Sequence, residues 1–214
     1  MSAAGARPAL AELTVAADPE AWDGAGFESP GGEVVVGAVR IGLAGLGAGH
    51  RIVHWALTGL RTSDLDGLPT RVAGSPPPEP RAAPHPNGVV SLDHVVAFSP
   101  NLDRTVASLE SAELDLRRVR EGPTSAGSRR QAFFRVGSPI LEVIEHPPNA
   151  DAAADLEAPA RFWGLAFGTD DLDATVAALG PLVGEPKEAI QEGRRIATVR
   201  KEAGLGLPVA IMSR

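Results

Sequence analysis

Two stretches in the second half of the chain repeat one pattern of apolar and polar positions. SLDHVVAFSPNLDRTVASLESAELDL (91–116) and RFWGLAFGTDDLDATVAALGPLV (161–183) each open on a short apolar run and then turn at Pro or Asp. Each continues as L-D-x-T-V-A-x-L. Leu102, Val106 and Leu109 in the first copy, and Leu172, Val176 and Leu179 in the second, fall four and then three residues apart, which is helical spacing. Asn101 and Asp171 stand where N-caps are expected. Extended runs follow each helix: QAFFRVGSPILEVIEH (131–146) and RRIATVRKEAGLGLPVAIM (194–212). The pattern predicts strand, helix, then strands, twice over.

A weaker copy lies near the N-terminus, where LAELTVAADPEAWDGAGF (10–27) predicts a strand, a turn and a short helix leading into EVVVGAVRIGLAG (33–45). Val36-Gly37 matches Val136-Gly137, and IVHWALTGLRTSDLDGLP (52–69) matches FWGLAFGTDDLDATVAAL until Gly67 and Pro69 break the helix. It reads as a truncated copy. Proline-rich SPPPEPRAAPHPNG (75–88) favours extended backbone and separates this part from the rest. The division that follows is a degenerate N-terminal βαβββ-like unit over 1–74, a linker over 75–90, a first unit over 91–146, a second linker over 147–159 and a second unit over 160–214.

Composition restricts the chemistry. There is no cysteine among 214 residues, so thiolate metal sites, disulfides and cysteine nucleophiles are excluded and any metal would rest on His, Asp, Glu or Gln. A net charge of −7 argues against general attraction to nucleic acid or an anionic membrane. No run of apolar residues is long enough for a membrane helix and no signal-peptide core is present, so cytoplasm is the expected address. Aromatic residues make up 4% and Tyr is absent, which predicts a core of small branched side chains. The glycine-rich GLAGLGAGH (42–50) lacks the spacing of a nucleotide loop and is read as a turn.

The tandem units, opening with L-D-H-V and closing with I-L-E-V, together with F-F-R-V-G and F-x-x-D-D-L-D, resemble the vicinal oxygen chelate superfamily of glyoxalases, extradiol dioxygenases, methylmalonyl-CoA epimerases and bleomycin-resistance proteins. The resemblance covers about residues 91–214 and, more loosely, 9–72. It implies an α+β fold in which paired βαβββ units form a cupped half-barrel sheet with helices outside. It further implies a ligand position on the first and last strand of each unit. Carried over, these are His94 in LDHVV and Glu142 in ILEVI, while Gly164 and Ala210 stand at the corresponding places of the second unit, and Leu13 and Gly42 at those of the N-terminal copy. His54, on this alignment, falls opposite Phe162.

Period-two alternation puts His94 with Val96 and Phe98, and Glu142 with Ile140 and Ile144. The resemblance implies His94 and Glu142 as the candidate metal ligands, for zinc, manganese or iron(II), and the same two residues are the candidate catalytic pair acting without metal, with Glu142 as base and His94 as its partner. A catalytic zinc takes about three protein ligands, and completion by a second subunit in a homodimer is one route to a third. Another candidate, His146, lies four residues beyond Glu142, about 13 Å along a strand. Arg129-Arg130 and Arg194-Arg195 begin corresponding strands, and Arg130 with Arg195 are the candidate clamp for an anionic substrate group. Phe98, Phe134 and Trp163, with Phe133 and Phe162, are candidates to line an apolar cup. The resemblance implies a lyase, isomerase or dioxygenase-type enzyme acting on a small oxygenated metabolite. Its rival is a non-catalytic protein of the resistance type that sequesters a small molecule.

Overall fold

A computed structural model describes residues 7–47, 51–80, 84–124, 127–145 and 155–214. His50 and His146 lie outside the described residues.

The C-terminal part is one eight-stranded sheet built from two copies of the same unit. The first runs β6 (Val89–Ser99), α2 (Leu102–Ser111), β7 (Asp115–Thr124), β8 (Gly127–Arg135) and β9 (Ile140–Glu145). The second runs β10 (Arg161–Thr169), α3 (Leu172–Leu179), β11 (Lys187–Glu188), β12 (Arg195–Thr198) and β13 (Val209–Ser213). In each, the first strand lies parallel to the last, and the two units join through antiparallel β6 and β10 to give the order β11-β12-β13-β10-β6-β9-β8-β7. This is the α+β arrangement of paired βαβββ units that the sequence pattern predicts.

The repeated L-D-x-T-V-A motif has a physical basis at each strand-to-helix junction. Asn101 accepts a hydrogen bond from the Arg104 amide at 3.1 Å and Asp171 one from the Ala174 amide at 2.9 Å, so both helices are capped as expected. Leu102, Thr105 and Leu109 are buried on α2, and Leu172, Thr175 and Leu179 on α3. The buried threonine hydroxyls would be costly unpaired. Thr105 shares a hydrogen bond with Ser99 at 2.6 Å and Thr175 one with Thr169 at 2.8 Å, six residues back in each copy.

The N-terminal part forms a second sheet from β1 (Ala9–Val15), α1 (Pro19–Gly24), β2 (Glu33–Val36), β3 (Val39–Leu43), β4 (Ile52–Thr58) and β5 (Thr70–Val72), in the order β2-β3-β1-β4-β5. Its pairings copy the larger sheet: β1 is parallel to β3, β4 is antiparallel to β1, and β5 is parallel to β4. Residues 59–69 form a loop where the other copies carry a helix. Asp66 and Gly67 there have φ of 52° and 80°, which ends regular structure. The Asp66 carboxylate accepts from Arg104 Nε at 2.7 Å and from the Thr105 hydroxyl, fastening this loop to the start of α2.

The two sheets share one core. Trp22 of α1 packs against Phe27 at 4.9 Å and edge-on against Phe167 of β10 at 6.1 Å, and its indole N–H donates to the Leu205 carbonyl at 3.3 Å. Trp55 meets Phe162 at 5.2 Å. His85, in the proline-rich stretch, is buried and accepts from the Glu28 amide at 3.1 Å. Among the described residues no helix is long and apolar enough to cross a membrane.

Candidate acid/base site on the cup face

Cross-strand partners share a face, so the ladders of the larger sheet sort its side chains into two sets. Gly164, Val96, Glu142, Phe133 and Arg118 form one row across β10, β6, β9, β8 and β7. Ala210, Ala166, His94, Ile140 and Arg135 form a neighbouring row. These residues line the cup. The opposite face carries Ala97, Leu141, Val143, Ala132 and Phe134 into the core beneath the helices.

His94 and Glu142 meet on the cup face, with Nε2 3.5 Å from Oε2 and side chains 16% and 15% exposed. The other ring nitrogen, Nδ1, is 2.8 Å from Asp93, whose second oxygen accepts from Arg194 at 2.7 Å. A carboxylate at Nδ1 places the ring proton there and leaves Nε2 facing Glu142. Arg194 is itself anchored, donating to the Ser213 carbonyl at 2.6 Å and to Gln191 at 2.8 Å. Asp93 reaches the cup beside His94 because the β6–β10 register passes from His94 opposite Ala166 to Leu92 opposite Phe167, leaving Asp93 as the extra residue of a bulge.

The electrostatics separate the two carboxylates. Burial pushes the Glu142 carboxyl up from its ordinary value, and the charges of His94, Arg120 and Arg118 offset that only in part. Burial also acts to raise Asp93, but the hydrogen bonds from His94 and Arg194 outweigh it and hold this carboxyl down at about 2. One carboxylate is thus a fixed anion that orients the imidazole. The other is a group whose proton is held more tightly than usual.

His94 and Glu142 supply two of the about three protein donors that a catalytic zinc takes. Gly164 and Ala210 add none, and a Cβ built at Gly164 would lie 2.4 Å from the Pro208 carbonyl oxygen, so this backbone has closed over the place of a larger side chain. Gln131 is committed to Arg120, whose Nε donates to its Oε1 at 3.0 Å. No group of three His, Asp or Glu suited to a metal ion occurs among the described residues. The donor set therefore does not fit a resident metal of three protein ligands.

Several expected positions are corrected. Arg130 and Arg195 do not clamp the cup. Arg130 pairs with Asp103 of α2 at 2.6 Å and with Glu145 at 3.3 Å, and Arg195 with Asp173 of α3 at 2.9 Å, all on the helix side. The reason is parity: Arg130 shares its face with Ala132 and Phe134, whereas a shift of one residue reverses the face, and Arg194 is the cup-side member of its pair. Phe134 is fully buried in the core, and its neighbour Phe133, opposite Glu142, is the one of the two on the cup face. Phe98 and Trp163 do lie together there, their ring centroids 4.8 Å apart.

In the N-terminal sheet, the pairing Thr14↔Gly42 corresponds to Val96↔Glu142, so Glu12, not Leu13, occupies the register of His94. By the same logic Thr14↔His54 corresponds to Val96↔Gly164, and His54 takes the place of Gly164, not of Phe162. The signal was H-W-A-L against G-L-A-F at 54–57 and 164–167. Glu12 is bound by Arg40 at 2.8 Å, and His54 Nε2 lies 3.1 Å from the Thr14 hydroxyl. Burial holds the His54 pKa below its usual value, with Arg71 adding to the effect and Glu12 opposing it.

Neither protein-family models nor curated protein sequences gave a match to the chain. Solved structures did. A methylmalonyl-CoA epimerase from Mycobacterium tuberculosis aligns at 17% identity and a TM-score of 0.45, covering 59% of this chain and 89% of its own. A variant of the Streptomyces coelicolor methylmalonyl-CoA epimerase in complex with 2-nitronate-propionyl-CoA aligns at 21% identity and a TM-score of 0.46, covering 58% and 94%. A hypothetical protein from Bacillus halodurans aligns at 16% identity and a TM-score of 0.47, covering 58% and 94%. Over about 58% of its length the chain is thus similar to solved structures of methylmalonyl-CoA epimerases.

Proposed function

We propose that the cup is the site of a metal-independent acid/base enzyme, an isomerase or lyase in reaction class, that moves a proton on carbon beside a carbonyl in a small oxygenated metabolite. The observation that carries this reading is the contact of His94 Nε2 with Glu142 Oε2 on one face of the larger sheet, backed by the Asp93–Arg194 pair. In its ionised form Glu142 takes the proton from carbon as the C–H electron pair moves toward the carbonyl oxygen. Nε2 accepts that proton from Glu142, Asp93 stabilises the imidazolium formed, and reversal returns it to carbon. A raised carboxyl pKa suits this task, because a stronger base removes a carbon-bound proton more readily.

A second reading, a sequestering protein of the resistance type, is favoured by the two ligand-equivalent positions, Gly164 and Ala210, that carry no chemistry. Exchange of substrate hydrogen for solvent deuterium separates the two. With chelator-treated protein and a panel of 2-oxo and 3-oxo acids and their thioesters, the enzyme reading predicts exchange lost in Glu142→Gln. The sequestering reading predicts binding with no exchange in any form.

A further inference from the structure

On the cup face, next to Glu142, stand two arginines that the acid/base chemistry does not use. Arg118 and Arg120 lie on the edge strand β7, and both guanidinium groups sit over the Phe133 ring, at 4.8 and 5.1 Å from its centroid. Other arginines of this acidic chain find carboxylates, among them Arg104 with Asp66, Arg117 with Asp115, Arg130 with Asp103, Arg194 with Asp93 and Arg195 with Asp173. Arg118 and Arg120 form no ion pair among the described residues, although their charge acts on Glu142, and Arg120 spends only its Nε, on Gln131. Both guanidinium groups thus lie against one aromatic ring, whose own strand neighbour is Glu142.

The far side of the same face carries a second platform. Phe98 and Trp163 lie with their planes 36° apart, capped by Arg51 over the indole at 4.7 Å and Arg161 over the phenyl ring at 5.5 Å. Between the platforms lie Glu142 and Ile144. We propose that the cup binds a planar carbonyl compound carrying an anionic group, the anion held by Arg118 and Arg120 over Phe133 and the conjugated part directed toward Phe98 and Trp163. Phe133 is paired with Glu142 across adjacent strands, so an anion held at the two guanidiniums lies on the same face as Glu142 and one strand away from it. Oxo acids and their phosphate counterparts carry a carbonyl and an anionic group together. Paired guanidiniums near a ring offer forked donors to such a group and also oppose charge developing on the neighbouring carbonyl oxygen.

The inference rests on the proposed function in placing ligand at Glu142, and calorimetric titration of the full chain tests it separately from turnover. The probes are phenylpyruvate, its methyl ester and phenyl phosphate. Wild type is expected to bind phenylpyruvate roughly tenfold to a hundredfold more tightly than the ester. The double variant Arg118→Ala, Arg120→Ala is expected to lose that preference while keeping its affinity for the ester, which also reports that it is folded. Phenyl phosphate bound in preference to phenylpyruvate identifies the anion as a phosphate and supports the same clamp. Equal affinity of wild type for acid and ester, or an acid preference surviving in the double variant, overturns the inference. Acid-selective binding with no deuterium exchange defeats the proposed enzyme alone, and exchange with no acid preference defeats the clamp alone.

Discussion

Two adjacent carboxylates on the cup have been driven in opposite directions, and each leaves a signature in pH. Asp93 is lower in the folded chain than its ordinary value of 3.8, so its contribution to stability is present above pH 3.8 and is lost as pH falls through about 2. Glu142 is raised above 4.5, so its favourable contribution is present below pH 4.5 and is lost as pH rises through the folded value. Two outcomes are expected from chemical denaturation across pH. Asp93→Asn should flatten the acid limb between pH 3.8 and 2, and Glu142→Gln should match or exceed wild type at pH 8 with the advantage gone below pH 4.5. A Glu142→Gln variant less stable than wild type at pH 8 would contradict the burial account. His94 and Glu142 were singled out in the sequence through the resemblance carried by L-D-H-V and I-L-E-V, and the strand ladder is what brings the two side chains to one face. Asp93 was not, since alternation sends a neighbour of His94 to the opposite face and only the bulge brings it back. As a positioning residue, Asp93 is expected to shift the pH profile of exchange when changed to Asn, more than it alters substrate affinity.

Caps and parity govern the elements. Replacing Asn101 or Asp171 by Ala removes an amide acceptor at a helix start and is expected to cost about 1 kcal/mol in denaturant titration. The helices and their caps were readable from the repeated motif, and so was the strand content. Which of two consecutive arginines faces the cup was not readable, because a one-residue uncertainty in register inverts the answer. Arg130→Ala and Arg195→Ala, on the helix side, are therefore expected to leave probe affinity unchanged, whereas a loss of acid-selective binding in either would restore the clamp that the strand ladders remove. Position 164 tests the donor argument from another direction. A side chain there must displace the Pro208 carbonyl, so Gly164→His should destabilise the sheet by about 1–3 kcal/mol and should bind no zinc when titrated.

At the scale of the molecule, the described residues form a five-stranded and an eight-stranded sheet around one shared core. Register at the N-terminus was not legible in the sequence: matching Trp55 to Trp163 sets His54 opposite Phe162, whereas the strand ladders give His54 the place of Gly164. The seam between the sheets is aromatic: Trp22 and Trp55 are fully buried against Phe167 and Phe162. Trp22→Ala is expected to cost about 3–5 kcal/mol and to leave a single unfolding transition, because the core is shared. The central claim is that this assembly presents Glu142 as a base acting without metal. Its most direct test is the rate of solvent-deuterium incorporation beside the carbonyl of a 2-oxo acid, in the presence of chelator, for wild type and Glu142→Gln. The account predicts exchange by wild type that is insensitive to the chelator and falls by about 10²–10⁴ in the variant. Exchange that needs added metal, or that survives in Glu142→Gln, would contradict it.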